Sequence, residues 1–566
     1  MRRYWEFSLI SLLIFAVAPP PHAIAGPARA VRVNAYDTQP EVERTRIYIH
    51  SATADTKKFA ELRRRLVEGG AVHVNYFEPS LVVCEIPMTS PLAELLADPE
   101  FTYFEESFVG PQMASPASEE INQVKAAYDR VEAVLDLQKS GKWREGFSDV
   151  VIQVPADVVR ESRRPQQTPA PGEVASVSPG IQQGAEMMIG DIAVNVIYPE
   201  SDGTGDPKTE TWTEDELRDV SQGVVTAMLS FQQTWAYISI NFTFDFRKRV
   251  RTRYEPIIHT LDDDYLWIAD CMANLEPEGF TGRDESLAVH AFNTSKRGGP
   301  NPPDWVFTIF VADGSREGGK FRGAPYTAYA QLGGPYNVMP WPANPNVNPH
   351  FLDDITLFAN IMMHETIHIF WGLDEYPGAP SQCSSRSGYL NYQNRNKVDY
   401  PPGSDVLTGC PTYVNCLMWN GRTDQGQPLC FYTAGQVGTV DANENDIPDI
   451  FDMPPTVEFA GGNRVEIEEA SYAIDMKAIS LPVPNQNPFQ NDAVDYAAPL
   501  RSASFSVNGV GLTFLRPLDG KWDETEEDLV FQLSGLSPGV TTVQVAVRNA
   551  YGRVGVEILE INFVGI

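Results

Sequence analysis

Positive charge is scarce in this chain. Lys and Arg total 43 against 75 Asp and Glu, a formal net charge of -32 over 566 residues. Phosphate-rich partners would be repelled, which argues against nucleic acid and anionic membranes. Cysteine is also sparse, at 6 residues. No Cys-x-x-Cys pair occurs, so a zinc finger is disfavoured. Beyond the extreme N-terminus no apolar run is long enough to cross a bilayer. There is no internal repeat array. No Ser lies in a Gly-rich nucleophile turn with matching Asp and His motifs, which removes a serine-protease reading.

What is present points to several folded units. A chain of this length suggests three or four, and a hydrophobic fraction of 43% supports packed cores. Arg2 and Arg3 precede an apolar run over 7–18, followed by the small-x-small pattern Ala23-Ile24-Ala25. Residues 1–25 therefore read as a cleavable signal peptide, and the protein is expected to be secreted or extracytoplasmic.

Along the chain, residues 40–110 alternate compactly. Strands are expected at 45–49, 71–77, 81–86 and 101–106, with helices at 56–68 and 91–96. This β-α-β-β-α-β order is a ferredoxin-like layout. With Leu92-Ala93-Glu94-Leu95-Leu96-Ala97-Asp98-Pro99 and Phe101-Thr102-Tyr103-Phe104-Glu105-Glu106, it resembles the propeptide domains of subtilisin-type proteases. That resemblance implies an intramolecular chaperone or inhibitor; the alternative is an accessory domain. Residues 111–185 hold a helix over 118–139 and a Pro/Ser/Gln-rich linker. Arg160, Arg163 and Arg164 in the linker suit a processing protease.

Residues 186–453 read as an α/β unit. Strands fall at 192–197, 238–246 and 305–311, and an edge strand at 326–332. A long helix starts at Thr213 with Glu216 three residues on, a capping box. A further helix spans 355–370. Residues 456–566 hold short alternating segments at 503–507, 512–515, 528–533, 541–547 and 556–563, an immunoglobulin- or fibronectin-like β-sandwich. The expected fold class is multidomain α+β.

The chemistry concentrates at 364–376. His364 and His368 stand four apart, so a helix puts them on one face, where both imidazoles reach one zinc. Glu365 beside the first ligand can act as general base toward a zinc-activated water. Gly372 lets the chain leave the helix, and Asp374 follows His368 by six residues. With the Gly-Leu-Asp-Glu-Tyr run over 372–376, this stretch resembles the metzincins, and within them the IgA-peptidase-like secreted bacterial zinc metallopeptidases. The resemblance implies a third zinc ligand at Asp374, with Glu375 in reserve, and a metzincin-like catalytic domain acting on a protein or peptide substrate. The usual Gly stands one position earlier, where this chain has Trp371, so the path of the turn is open. The resemblance also implies a methionine turn at 415–419, with Met418 packing beneath the metal.

Cys383, Cys410, Cys416 and Cys430 cluster after the motif and suggest loop-stapling disulfides. The simplest pairs are Cys416 with Cys430 and Cys383 with Cys410, though sequence leaves the connectivity open. Cys84 reads as a buried strand residue, with a thiolate that caps the zinc as the alternative. Over 441–452, Asp441, Asn443, Asn445, the Ile447 carbonyl, Asp449 and Asp452 can wrap Ca2+. This loop resembles the calcium loops of dockerin and thrombospondin repeats, with Asp446 where Gly is usual. The activity expected is zinc-dependent endopeptidase. Alternatives are a zinc amidohydrolase and an adhesion protein with a vestigial zinc site.

Overall fold

The computed structural model describes residues 29–30, 44–51, 56–68, 71–77, 80–87, 101–105, 118–140 and most of 184–565. Within the last span, 323–327, 343–353, 400–407, 421–428 and several shorter loops are excepted. The signal segment, the 91–96 helix and nearly all of the linker lie outside the described residues.

The protein is mixed α and β, built as several sheets with helices packed on them. The first strands are β1 (Arg44–Ser51), β2 (Val72–Phe77), β3 (Leu81–Pro87) and β4 (Phe101–Glu105). Helix α1 (Thr56–Glu68) follows β1, and α2 (Ser118–Ser140) follows β4. The next unit contributes β5 (Gly190–Ser201), β6 (Ile240–Thr252), β7 (Trp305–Asp313), β8 (Tyr329–Ala330) and β9 (Tyr336–Trp341).

All nine strands form one sheet in the order β4-β1-β3-β2-β6-β5-β7-β9-β8. The first four pair antiparallel in the ferredoxin-like order 4-1-3-2. Then β2 pairs parallel with β6, and the sheet continues parallel through β5, β7 and β9. Strand β8 closes the far edge antiparallel to β9. The N-terminal unit is therefore no separate sheet, as its sequence pattern alone suggested, but continues the sheet of the next unit. Parallel central strands are covered on both faces, which explains the uninterrupted burial of β7.

Helix α3 (Glu214–Thr234) starts in the expected capping box. Thr213 Oγ1 accepts the Glu216 N–H and the Glu216 carboxylate accepts the Thr213 N–H. Helix α6 (Asp354–Ile369) carries the His motif and crosses α3 at Gly223. A Cβ there would stand 2.7 Å from the Phe358 ring, so glycine permits the close crossing. One core joins α2, α3, α6 and the sheet. The opposite face is covered by α4 (Asp264–Ala273) and α5 (Glu285–Ser295) around Trp267, Phe292 and Phe310. These two helices and β9 carry no clear periodic signal and were not anticipated.

Two further sheets face each other across a third core. One orders β10 (Thr456–Phe459), β12 (Ser471–Ile479) and β15 (Glu526–Ser534). The other orders β11 (Arg464–Ile467), β17 (Val554–Phe563), β16 (Gly539–Asn549), β13 (Leu500–Val507) and β14 (Val510–Leu515). Alternating burial along β16 and β12 gives the sandwich its inner and outer faces.

Candidate metal centre

Helix α6 ends in its His motif, and the two histidines lie on one face with ring centroids 5.0 Å apart. His364 Nδ1 donates to the Leu417 carbonyl at 3.2 Å, and His368 Nδ1 to the Gly372 carbonyl at 2.7 Å. A carbonyl can only accept, so each ring carries its proton on Nδ1 and turns the Nε2 lone pair inward. Both Nε2 atoms meet Asp374 Oδ1, at 3.1 and 3.2 Å. That oxygen is buried and has no hydrogen-bond donor. Three electron-rich atoms thus converge with nothing positive between them.

This arrangement attracts a cation. In the metal-free site, burial alone would lower the His368 pKa, but the Asp374 carboxylate beside it outweighs burial and raises it to about 9. Burial likewise opposes ionisation of Asp374, and the two imidazoles overcome it, holding the carboxyl well below its usual range. A proton fills the gap when no metal does. A divalent ion satisfies the same three atoms with more charge, and the donor set of two imidazoles and a carboxylate suits zinc. Glu365, on the same helix turn, is buried, and burial raises its pKa, partly offset by His364 and His368.

The turn after the helix differs from expectation in its detail. Trp371, not Gly372, takes the left-handed backbone, with φ of 74°. The strain is borne by packing. The Trp371 indole is buried, stacks on Phe489 at 5.9 Å and covers Gly333, where a Cβ would stand 2.4 Å from the ring. Gly372 is needed for close approach instead, since a Cβ there would meet Ile367 Cγ2 at 2.1 Å.

The segment after the turn is held at each backbone step. Leu373 N–H donates to Gln436 Oε1 at 2.9 Å, and the Asp374 carbonyl accepts Asn394 Nδ2 at 2.9 Å. Glu375 N–H donates to the Met418 carbonyl at 2.9 Å, and the Glu375 carbonyl accepts the Val398 N–H at 2.8 Å. Lys397 Nζ donates to the Tyr376 carbonyl at 2.8 Å. Met418 is fully buried in the short helix α7 (Leu417–Asn420). Its turn ties helix α6 to the segment bearing Asp374.

Glu375 is not drawn to the histidines. Its carboxylate accepts Asn396 Nδ2 at 2.7 Å, Thr433 Oγ1 at 2.8 Å and Cys430 Sγ at 3.0 Å. It is a buried strut, and burial raises its pKa. Asn394, Asn396, Lys397 and Gln436 were missed in the sequence. The only signal was the polar run 394–397, which reads as an exposed loop until the fold buries it.

Cys383 and Cys410 form a disulfide that closes the loop holding Asn394, Asn396 and Lys397. Cys416 and Cys430 are unbonded thiols, contrary to the simplest pairing. Their sulfurs lie within 4.8 Å of each other and of the Glu375 carboxylate, to which Cys430 donates. Cys84 is buried in β3, among the N-terminal strands, and burial pushes its thiol up.

The acidic loop behaves differently. Asp441 accepts the N–H groups of Asn445 and Asp446, at 3.2 and 2.7 Å. Asp449 accepts the Ala442 N–H at 3.0 Å, and Asp452 accepts the amides of Asn443 and Asn445 and pairs with Arg553. Ile447 N–H donates to Asn445 Oδ1 at 2.9 Å. Asp446 has φ of 62°, so it occupies the left-handed position that glycine usually takes.

No family model matches this chain, and no curated protein matches it. It is similar to solved structures at low identity. Wild-type OgpA from Akkermansia muciniphila is 10% identical with a TM-score of 0.23, over 69% of this chain and 97% of that one. A catalytically inactive OgpA from the same organism, in complex with an O-glycopeptide substrate, is 8% identical with a TM-score of 0.21, over 69% and 96%. The sulfane dehydrogenase SoxCD from Paracoccus pantotrophus is 9% identical with a TM-score of 0.14, over 18% of this chain. This chain spans 23% of that dehydrogenase chain's length. Scores of this size leave the chemistry to be read from the chain's own residues.

Proposed function

We propose that this protein is a secreted zinc-dependent endopeptidase whose catalytic unit spans 186–453. The observation that carries the reading is the convergence of His364 Nε2, His368 Nε2 and Asp374 Oδ1, all acceptors, with no donor among them. Two histidines and one carboxylate leave a coordination position open, the mark of a catalytic site. Zinc bound there would polarise a scissile carbonyl and acidify a water molecule. Glu365 takes up the proton of the attacking water and passes it to the leaving amine. Its low-dielectric surroundings favour a carboxylate that holds a proton readily.

Strand β8 supplies the substrate rail. It is the edge of the sheet, and its next turn is bonded to the metal helix, Gly333 N–H to the His368 carbonyl at 3.0 Å. An extended peptide added to that edge would lie beside α6. The 441–452 loop is proposed to bind calcium between the catalytic unit and the sandwich, where Asp452 already pairs with Arg553.

The test is hydrolysis of a fluorogenic protein substrate by secreted material, with metal content measured alongside. We expect one zinc per chain, activity lost on chelation and restored by zinc, and little activity in Glu365→Gln. Activity that survives both chelation and Glu365→Gln would sink the zinc mechanism.

A further inference from the structure

Strand β6 has two neighbours in the sheet: β5 from its own unit and β2 from the N-terminal unit. The β2 pairing is parallel, with Tyr76 opposite Thr243 and Phe77 opposite Phe244. Phe77 and Phe244 stack at 5.0 Å. Tyr48, Leu81, Val83 and Tyr128 from one side share a single core with Val194, Val224 and Phe244 from the other.

The polar groups at this junction are also shared. Asn75 is fully buried, and its Oδ1 accepts the Phe242 N–H and Gln232 Nε2, both at 2.9 Å. Its Nδ2 donates to Gln232 Oε1 at 2.9 Å and to Tyr128 Oη at 2.8 Å. Val74 N–H donates to Asn241 Oδ1 at 3.0 Å. Asn241 Nδ2 donates to Asp191, which also pairs with Arg63 of helix α1. Arg130 of α2 donates to Thr356, in the first turn of the metal-bearing helix, at 3.1 Å. Removing the N-terminal unit would strip the Phe242 N–H and Asn241 Oδ1 of their partners and bare the edge of β6.

An inhibitory segment that is shed on activation needs an interface the remainder can survive losing. It also needs to cover the site. Here four strands separate β2 from the substrate edge β8, about 24 Å at the usual strand spacing. We infer that the strands of the N-terminal unit, with helices α1 and α2, are a permanent part of the central sheet and its core, so that cutting the Pro/Ser/Gln-rich linker leaves the N-terminal fragment bound as a non-covalent partner. Its role is to complete the sheet and brace α3 and α6. This holds whether or not the peptidase reading stands.

The test uses the full chain with a site-specific protease sequence placed in the linker near 170. The purified protein is cut to completion, diluted to nanomolar concentration and passed over a sizing column. Fractions are analysed on a denaturing gel. We expect both fragments in one peak at the elution volume of the uncut chain, separating only in denaturant. Separate elution of the N-terminal fragment would overturn the inference, whether or not the remainder stays folded. Asn75→Ala sharpens it. The uncut variant should keep its circular dichroism, because the linker holds the pieces at high effective concentration. The cut variant should release its fragment at least tenfold faster than the cut wild-type protein. Equal release rates would remove Asn75 as the hub of the junction. No peptidase activity is read, so failure of the zinc reading leaves this outcome unchanged.

Discussion

Two stretches of this chain carry metal-ligand patterns, and the fold treats them in opposite ways. At 364–374 the ligand atoms face each other, and the buried Asp374 Oδ1 has no internal donor. At 441–452 the carboxylates of Asp441, Asp449 and Asp452 are half-buried and already accept the loop's own N–H and amide groups. The difference lies in what each site would do when empty. The first is left with uncompensated lone pairs and must take a proton or a metal. The second already has its carboxylates bonded to the loop's own N–H groups, so it needs a cation less. Metal dependence is therefore expected to be strong at one and mild at the other.

The largest expected effect is at the histidines. His368→Ala should reduce bound zinc from one per chain to none and abolish turnover, measured by elemental analysis and substrate hydrolysis. Retained stoichiometric zinc would break the contrast outright. Next, Glu365→Gln should keep the metal while lowering kcat/KM by roughly 10²–10⁴-fold, the usual worth of a general base.

A third effect separates Asp374 from its neighbour. Asp374→Asn should weaken zinc binding, measured by competition with a chromogenic chelator. Glu375→Gln should keep zinc but lower stability by about 1–3 kcal/mol in urea unfolding, because the donors of Asn396, Thr433 and Cys430 lose their carboxylate. Zinc lost in Glu375→Gln but kept in Asp374→Asn would reverse the assignment.

The pH dependence follows from the same pair. In metal-free protein His368 is raised to about 9, above its unfolded value near 6.5. The stabilisation it brings is complete below about pH 6.5 and is lost as pH rises through about 9. Asp374 is depressed, so its contribution is present above its unfolded value and is lost only in strong acid. Calorimetry of the chelated protein should show Tm falling between pH 7 and pH 9.5. Zinc-loaded protein should lack that fall, since the metal has displaced the proton. The smallest effect is at the acidic loop. Millimolar calcium should raise Tm by roughly 2–4 °C, and Asp441→Asn should remove the rise.

How much of this was legible follows from the range of each interaction. The capping box at Thr213, helix α6 and the sandwich strands depend on residues near in sequence, and each is found where its pattern put it. The His364 and His368 pairing is likewise set by helix pitch. The turn was misread in one respect. A displaced glycine suggested that Gly372 bends the chain, but Trp371 bends it, because a buried indole packed on Gly333 and Phe489 holds a conformation its own sequence would avoid. The clamp at 394–397 was not legible, since Asn and Lys read as surface residues until other segments bury them.

The sequence by itself determined which atoms are available: two imidazoles one helical turn apart, a carboxylate beyond a sharp turn, and short strands with alternating faces. These follow from local geometry, which a short window contains. Tertiary structure alone decided that Asp374 and not Glu375 faces the histidines, that Cys416 and Cys430 stay unbonded beside a buried carboxylate, and that the N-terminal strands join the central sheet. Each of those outcomes depends on contacts between residues far apart in the chain, whose energies no local pattern records.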